Sequence, residues 1–186
     1  SGKVKVLIEE KYSRSANGGV GFAKAGGNYA GQFYPTQLAI EKGYNQVIWT
    51  DDTNHEYIEE AGAMNIFVRI EDTLITVPTN DRILDGITRM SVIDLLEHKG
   101  YQVTERPITI NEIEEASNNE TLKEAFGTGT AVGIAYIQEI GFNDKTIHVS
   151  DESPVGLDIN NTLNAIKTGK IEDPFNWMIK IEKELV

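Results

Sequence analysis

Ile66-Phe67-Val68-Arg69-Ile70-Glu71-Asp72-Thr73-Leu74-Ile75-Thr76-Val77 decides the architecture. β-Branched and aromatic residues fill 66–70 and 74–77, and the acidic pair Glu71-Asp72 between them reads as a hairpin turn. Two strands joined this way run antiparallel, which is not the repeating βαβ unit of a doubly wound sheet. Upstream, Val47-Ile48-Trp49 reads as a short buried strand ended by Asp51-Asp52, and 4–8 as a first strand. Between them the pattern predicts a helix over 29–42 that Gly43 stops, although Pro35 fits poorly inside it. Downstream, Met90, Val92-Ile93 and Leu95-Leu96 recur at helical spacing, so a helix is expected over 88–99 with Gly100 as its stop. Residues 103–107 read as extended. Thr109 is a good N-cap for a helix over 110–116, with Glu112 as its capping-box partner. The run 131–140 reads as an apolar strand and 160–167 as a last helix stopped by Gly169. The expected fold class is mixed α/β (α+β). The 22 isoleucines against 10 leucines lean the same way, toward strands.

The 186 residues carry 40% hydrophobic and 25% charged side chains, an ordinary globular balance with enough chain for a real core. A formal net charge of −12 weighs against nucleic-acid partners and against anionic lipid. No apolar run reaches the ~20 residues of a membrane span. Without cysteine, disulfide scaffolds, thiolate metal sites and cysteine nucleophiles are excluded. His55, His98 and His148 are widely spaced and none lies in a HExxH pattern, so no metal is expected. Ser1-Gly2-Lys3-Val4-Lys5-Val6 does not read as a signal peptide, since no apolar segment follows the charges. Ser1-Gly2 reads as a tag scar or as the interior of a longer protein.

Four segments carry residues with chemistry in them. Lys24 stands in Gly21-Phe22-Ala23-Lys24-Ala25-Gly26-Gly27-Asn28-Tyr29. Among small and apolar residues its amine is either desolvated, and so nucleophilic toward carbonyls, or simply carried out to solvent. The stretch is neither a P-loop nor a dinucleotide fingerprint. Glu59-Glu60-Ala61-Gly62-Ala63-Met64-Asn65 offers an acid that could face a cationic heterocycle; the alternative is a solvated helix or loop end. Asp85-Gly86-Ile87-Thr88-Arg89 opens a helix, where free N–H groups and a hydroxyl make an anion site, or where Thr88 is an ordinary cap. Phe126-Gly127-Thr128-Gly129-Thr130-Ala131 reads as a second anion nest or as a tight turn before a strand. A reactive lysine, an acid and two anion sites are together the parts of a pyridoxal phosphate enzyme.

These same segments resemble branched-chain amino acid aminotransferases. Lys24–Ala30 is similar to their KxGGNYA segment, and Glu60–Asn65 to E-x-G-[TGS]-M-N. Leu84–Arg89 is similar to LPGITR, Phe126–Ala131 to FGTGTA, and Gly169–Trp177 to a G-x-IEDPFGW ending. The resemblance implies a fold-type-IV large domain, with mixed sheets in a pseudo-barrel and flanking helices, and pyridoxal 5'-phosphate as cofactor. Lys24 would form the internal aldimine and shuttle a proton. Tyr29 would bond the phenolic oxygen, and Glu60 would pair with the pyridine nitrogen. Ile87, Thr88 and Thr130 would hold the phosphate. The Thr130-Ala131 backbone would lie near the substrate carboxylate. Ala63 stands near cofactor and substrate where threonine is common, so a hydrogen bond there would be missing. Asp85 replaces a usual proline.

The implied reaction moves the amino group of leucine, isoleucine or valine to 2-oxoglutarate in a cytoplasmic homodimer. The family's members run about twice this length, so residues 1–186 are expected to be the C-terminal, cofactor-binding domain. A small N-terminal domain with a phosphate-gripping arginine would be missing, and this chain alone would then bind cofactor weakly and lack activity. A non-catalytic fragment, a D-amino acid aminotransferase and an aminodeoxychorismate lyase are the alternatives. The GGNYA segment and the EDPF ending speak against the last two.

Overall fold

The computed structural model describes residues 3–181, so the reading of Ser1-Gly2 falls outside the described residues. In chain order the elements are β1 (Lys3–Ile8), α1 (Gly27–Ala30), α2 (Phe33–Glu41), β2 (Gln46–Thr50), β3 (Tyr57–Ala61), β4 (Met64–Ile70) and β5 (Thr73–Thr76). There follow α3 (Ile87–His98), β6 (Gln102–Glu105), β7 (Ile108–Thr109), α4 (Ile110–Asn118), β8 (Leu122–Gly129), β9 (Gly133–Phe142), β10 (Lys145–His148) and α5 (Pro154–Lys167).

β1 pairs in parallel with both β2 and β9. β9 continues antiparallel to β8, and β8 to β4. β3 pairs antiparallel with β2 on one side and with the start of β4 on the other. That double pairing closes β4-β8-β9-β1-β2-β3 into a ring, the barrel-like sheet of a mixed α/β domain. β5 and β6 extend outward from β4, β7 from β3, and β10 from β9. The turn at Glu71-Asp72 forms as expected, with Glu71 at φ 52°.

The period-2 alternation of β4 sorts its side chains between two cores. Ile66 and Val68 join Val6, Ile8, Ile48, Ile58 and Ile137. Phe67 faces the other way, where it stacks on Phe126 with ring centroids 5.2 Å apart. There it meets Val92, Leu95 and Leu96 of α3 and Val155, Ile159 and Leu163 of α5. Burying each such side chain stabilises the fold by roughly 1.5–3 kcal/mol. A third, smaller cluster places Ala39 of α2 against Val47 and Trp49 of β2.

Polar groups fix the ends of these elements. Asp51 accepts hydrogen bonds from the backbone N–H of Thr53, Asn54, Glu56 and Tyr57, which shapes the β2–β3 connection. Burial opposes its charge, but those four donors outweigh it and hold its pKa below the usual carboxylate value. Thr109 caps α4, accepting from the Glu112 N–H at 3.0 Å. Glu124, fully buried in β8, accepts from the Val155 and Gly156 N–H groups at the start of α5, at 3.3 and 3.0 Å, and pairs with Arg69 at 2.9 Å.

Four sequence expectations are corrected. The 29–42 helix is two pieces, and Pro35 lies in the first turn of α2, where no preceding helical carbonyl needs its missing N–H. Glu59 and Glu60 are in a strand and buried, not at a solvated end. Phe126–Gly129 is not a turn but the last half of β8, and the turn is the Thr130-Ala131-Val132 loop. The last helix begins six residues before Asn160, at Pro154. In each case tertiary pairing or packing overrides a weak local pattern. Among the described residues no helix is long and apolar enough to cross a membrane, and no cluster of three or more His, Asp or Glu is disposed to hold a metal.

Candidate active site

Glu60 is the centre of the arrangement. It sits in β3 directly across from Trp49 of β2 and Asn65 of β4, and Asn65 in turn lies across from Thr128 of β8. Cross-strand partners share a sheet face, so Glu60, Asn65 and Thr128 form one polar row. All three are at least nine-tenths buried. The turn that sets this register is the two-residue hairpin Gly62-Ala63. Gly62 adopts φ 59°, the left-handed region that a side chain resists. Ala63 is exposed at the tip.

Asn65 ties the row to the start of α3. Its Nδ2 donates to the Leu84 carbonyl at 2.8 Å and reaches Glu60 Oε1 at 3.4 Å. Its Oδ1 lies only 2.1 Å from where a Cβ on Gly86 would stand. Residue 86 must therefore be glycine for Asn65 to touch the helix start. Gly86 is also the N-cap of α3, and no side chain caps the helix there. Thr88, expected as a possible cap, is instead inside the first turn, leaving the positive end of a twelve-residue helix uncapped by a side chain. Buried Arg89 anchors this turn by donating to the Val77 carbonyl at 2.9 Å and pairing with Glu105. Ile87, Thr88 and Thr130 line one cavity of ≈ 490 Å³. Thr130 and Ala131 are exposed in the loop between β8 and β9.

Lys24 precedes α1 and Tyr29 lies within it. Lys24 is exposed rather than desolvated, and its Nζ donates to the Tyr29 hydroxyl at 2.8 Å. Its positive charge is among the influences that lower the pKa of Glu60. No hydrogen bond joins Lys24 or Tyr29 to the Thr88–Thr130 cavity among the described residues.

Two arginines were not singled out by the sequence reading, and nothing in their local pattern marks them. Arg14 lies with its side chain 2% exposed, Nη1 2.8 Å from Glu60 Oε2. Arg82 pairs through Nε with Glu59 at 2.5 Å and donates from Nη1 to Asn17 Oδ1. It thereby holds the glycine-rich loop against the segment before α3.

Burial raises the pKa of Glu60 to about 7, against the opposing pull of Arg14, the Leu84 N–H and Lys24; the negative charge of Glu59 adds to the rise. The folded state thus holds this proton more tightly than the unfolded chain does. The stability that results is fully present below pH 4.5, declines as pH rises, and is lost above about 7. Urea unfolding of the wild type and of Glu60→Gln between pH 4.5 and 8 should show the variant gaining on the wild type as pH rises. A constant difference would mean that Glu60 does not titrate in this window.

The residues fit a pyridine-type cofactor on an observation of their own. Glu60 Oε2 and Thr128 Oγ1 are buried with no hydrogen-bond partner. A buried acceptor without a donor costs free energy unless a ligand or water completes it.

The amino-transferase class IV family matches residues 5–140. The chain is 41% identical over 180 residues to branched-chain-amino-acid aminotransferase 2 of Bacillus subtilis, covering 96% of this chain and 50% of that one. The branched-chain amino acid aminotransferase structure from Escherichia coli aligns with a TM-score of 0.79 and 28% identity, over 94% of this chain and 56% of that one. The T.th. branched-chain amino acid aminotransferase, solved with pyridoxamine 5'-phosphate, aligns with a TM-score of 0.76 and 25% identity, over 90% and 52%. The chain spans about half the length of the curated relatives it matches.

Proposed function

The chain belongs to the class IV amino-transferases, and on that premise we propose that it forms the cofactor-binding part of a branched-chain amino acid aminotransferase. The substrates are leucine, isoleucine or valine and 2-oxoglutarate, and the cofactor is pyridoxal 5'-phosphate. When bound, that cofactor supplies the carbonyl that exchanges amino groups and the ring that takes up negative charge. The observation that carries the reading is the buried Glu60 Oε2, which accepts no hydrogen bond, in a segment that resembles one of this family's motifs.

Glu60 would accept the ring N–H through Oε2 and keep that nitrogen protonated by a charge-assisted bond. Lys24 would hold the carbonyl end of the cofactor through Nζ and would carry the proton that moves during transfer. Tyr29 orients the phenolic oxygen through its hydroxyl, already engaged with Lys24 Nζ. Ile87 and Thr88, at the uncapped start of α3, and Thr130 across the same cavity hold the phosphate. Ala63, Thr130 and Ala131 border the substrate. A homodimer and a cytoplasmic setting belong to the same proposal, on the resemblance alone.

The test is spectroscopic and catalytic. Pyridoxal phosphate added to the protein should give a visible absorption band that borohydride removes, and the protein extended to its relatives' length should convert leucine and 2-oxoglutarate to glutamate. No band and no glutamate formation would overturn the assignment.

A further inference from the structure

We propose that Arg14 is the positioning residue of this site: its guanidinium, pinned by two main-chain carbonyls, keeps the buried Glu60 carboxylate able to ionise while leaving Oε2 free to accept a hydrogen bond from a ligand. The inference rests on the cofactor reading for the identity of that ligand, and on geometry for the rest.

Arg14 Nη1 donates to the Arg82 carbonyl at 2.6 Å and to the Gly21 carbonyl at 3.3 Å. These two acceptors use both hydrogens of Nη1. Glu60 Oε2 is only 2.8 Å from the same nitrogen and yet receives no hydrogen bond from it. The pair is therefore Coulombic. The positive charge opposes, without cancelling, the desolvation of a carboxylate 1% exposed, and the directional capacity of Oε2 is unspent. An arginine hydrogen-bonded to Oε2 would have taken one of its two lone pairs; here both remain for a ligand. Gly21 contributes to the pinning through its size. A Cβ there would come within 2.4 Å of the Arg82 carbonyl oxygen, displacing one of the two acceptors.

The other groups that act on Glu60 cannot replace Arg14. Glu59, its neighbour in β3, has the wrong sign and is itself committed to Arg82. The Leu84 N–H is a dipole without net charge, and Asn65 is neutral. Lys24 is positive but exposed, and under the proposed function its amine is consumed by the cofactor. Arg14 is thus the buried, permanent positive charge against this carboxylate among the described residues.

The test uses Arg14→Met and Arg14→Lys in the full chain without cofactor. The readout is the side-chain carboxyl ¹³C resonance of Glu60, assigned by its loss in Glu60→Gln and followed against pH. The wild type should titrate at about 7. Arg14→Met should move the midpoint up by more than about one pH unit, and Arg14→Lys should restore part of that shift. A folded Arg14→Met protein that titrates like the wild type would overturn the proposal, because a residue that only braces the loop lowers the unfolding temperature without moving this midpoint. Should Arg14→Met fail to fold, Arg14→Gln, which also removes the charge, decides: an unchanged midpoint and an unchanged pH dependence of the pyridoxal phosphate band would count against Arg14. The cofactor reading fails separately, if the wild type gives no band while the Glu60 midpoint still follows Arg14.

Discussion

On the proposed function, Lys24→Ala is expected to abolish amino-group transfer in the protein extended to its relatives' length and to leave the fold in place. Both halves follow from where Lys24 sits. The residue is exposed, and its polar contact is with the Tyr29 hydroxyl, so its loss removes no buried apolar surface. Substitutions at such surface positions usually change stability by less than about 0.5 kcal/mol. Under the proposed function its Nζ both anchors the cofactor and moves the proton, and no other lysine stands in the glycine-rich segment. Loss of a single acid–base group costs roughly 10²–10⁴-fold in rate, and loss of the covalent anchor adds to that. Steady-state turnover of leucine should fall below detection while circular dichroism and unfolding stay at wild-type values. Normal turnover by the variant would remove Lys24 from the site.

Glu124→Ala should have the largest effect on stability. One carboxylate, fully buried, holds three donors from two layers: Arg69 of β4 and the first N–H groups of α5. Its removal leaves the Arg69 guanidinium, about one-fifth exposed, without its buried partner and leaves the α5 N-terminus uncapped. Asp72, the other acid near Arg69, is fully exposed at 3.5 Å and cannot take over. Breaking such a pair and cap together should cost about 3 kcal/mol. In a chain of this length that lowers the unfolding midpoint by roughly 6–12 °C, readable by calorimetry. Glu124→Gln keeps the shape and an acceptor, and should lose less than the alanine variant. A shift of under about 2 °C for alanine, well below that range, would mean that water takes the place of the carboxylate at no cost.

The sequence by itself determined the features whose causes lie within a few residues. The α3 stripe, the Gly100 stop, the turn at Glu71-Asp72 and the Thr109 cap all come from side chains acting on their own backbone, so spacing alone reveals them. The motif segments likewise pointed to the family, because their residue order is local. Which side chains are buried, and what they meet, was decided only by the tertiary structure. Glu59-Glu60 looks solvated as a string of residues. It is buried because β3 is clasped between β2 and β4, strands that the sequence pattern does not pair with it. Phe126–Gly129 looks like a turn because glycine and threonine are weak strand formers in that setting. It is a strand because β4 and β9 supply hydrogen bonds on both sides. Arg14 carries no local signal at all. Its position is fixed by carbonyls of Gly21 and Arg82 and by the charge of Glu60, groups from three separate segments. The difference is one of range. Backbone propensity and capping act over one turn or one hairpin, whereas burial and electrostatic pairing depend on what the closed sheet brings together.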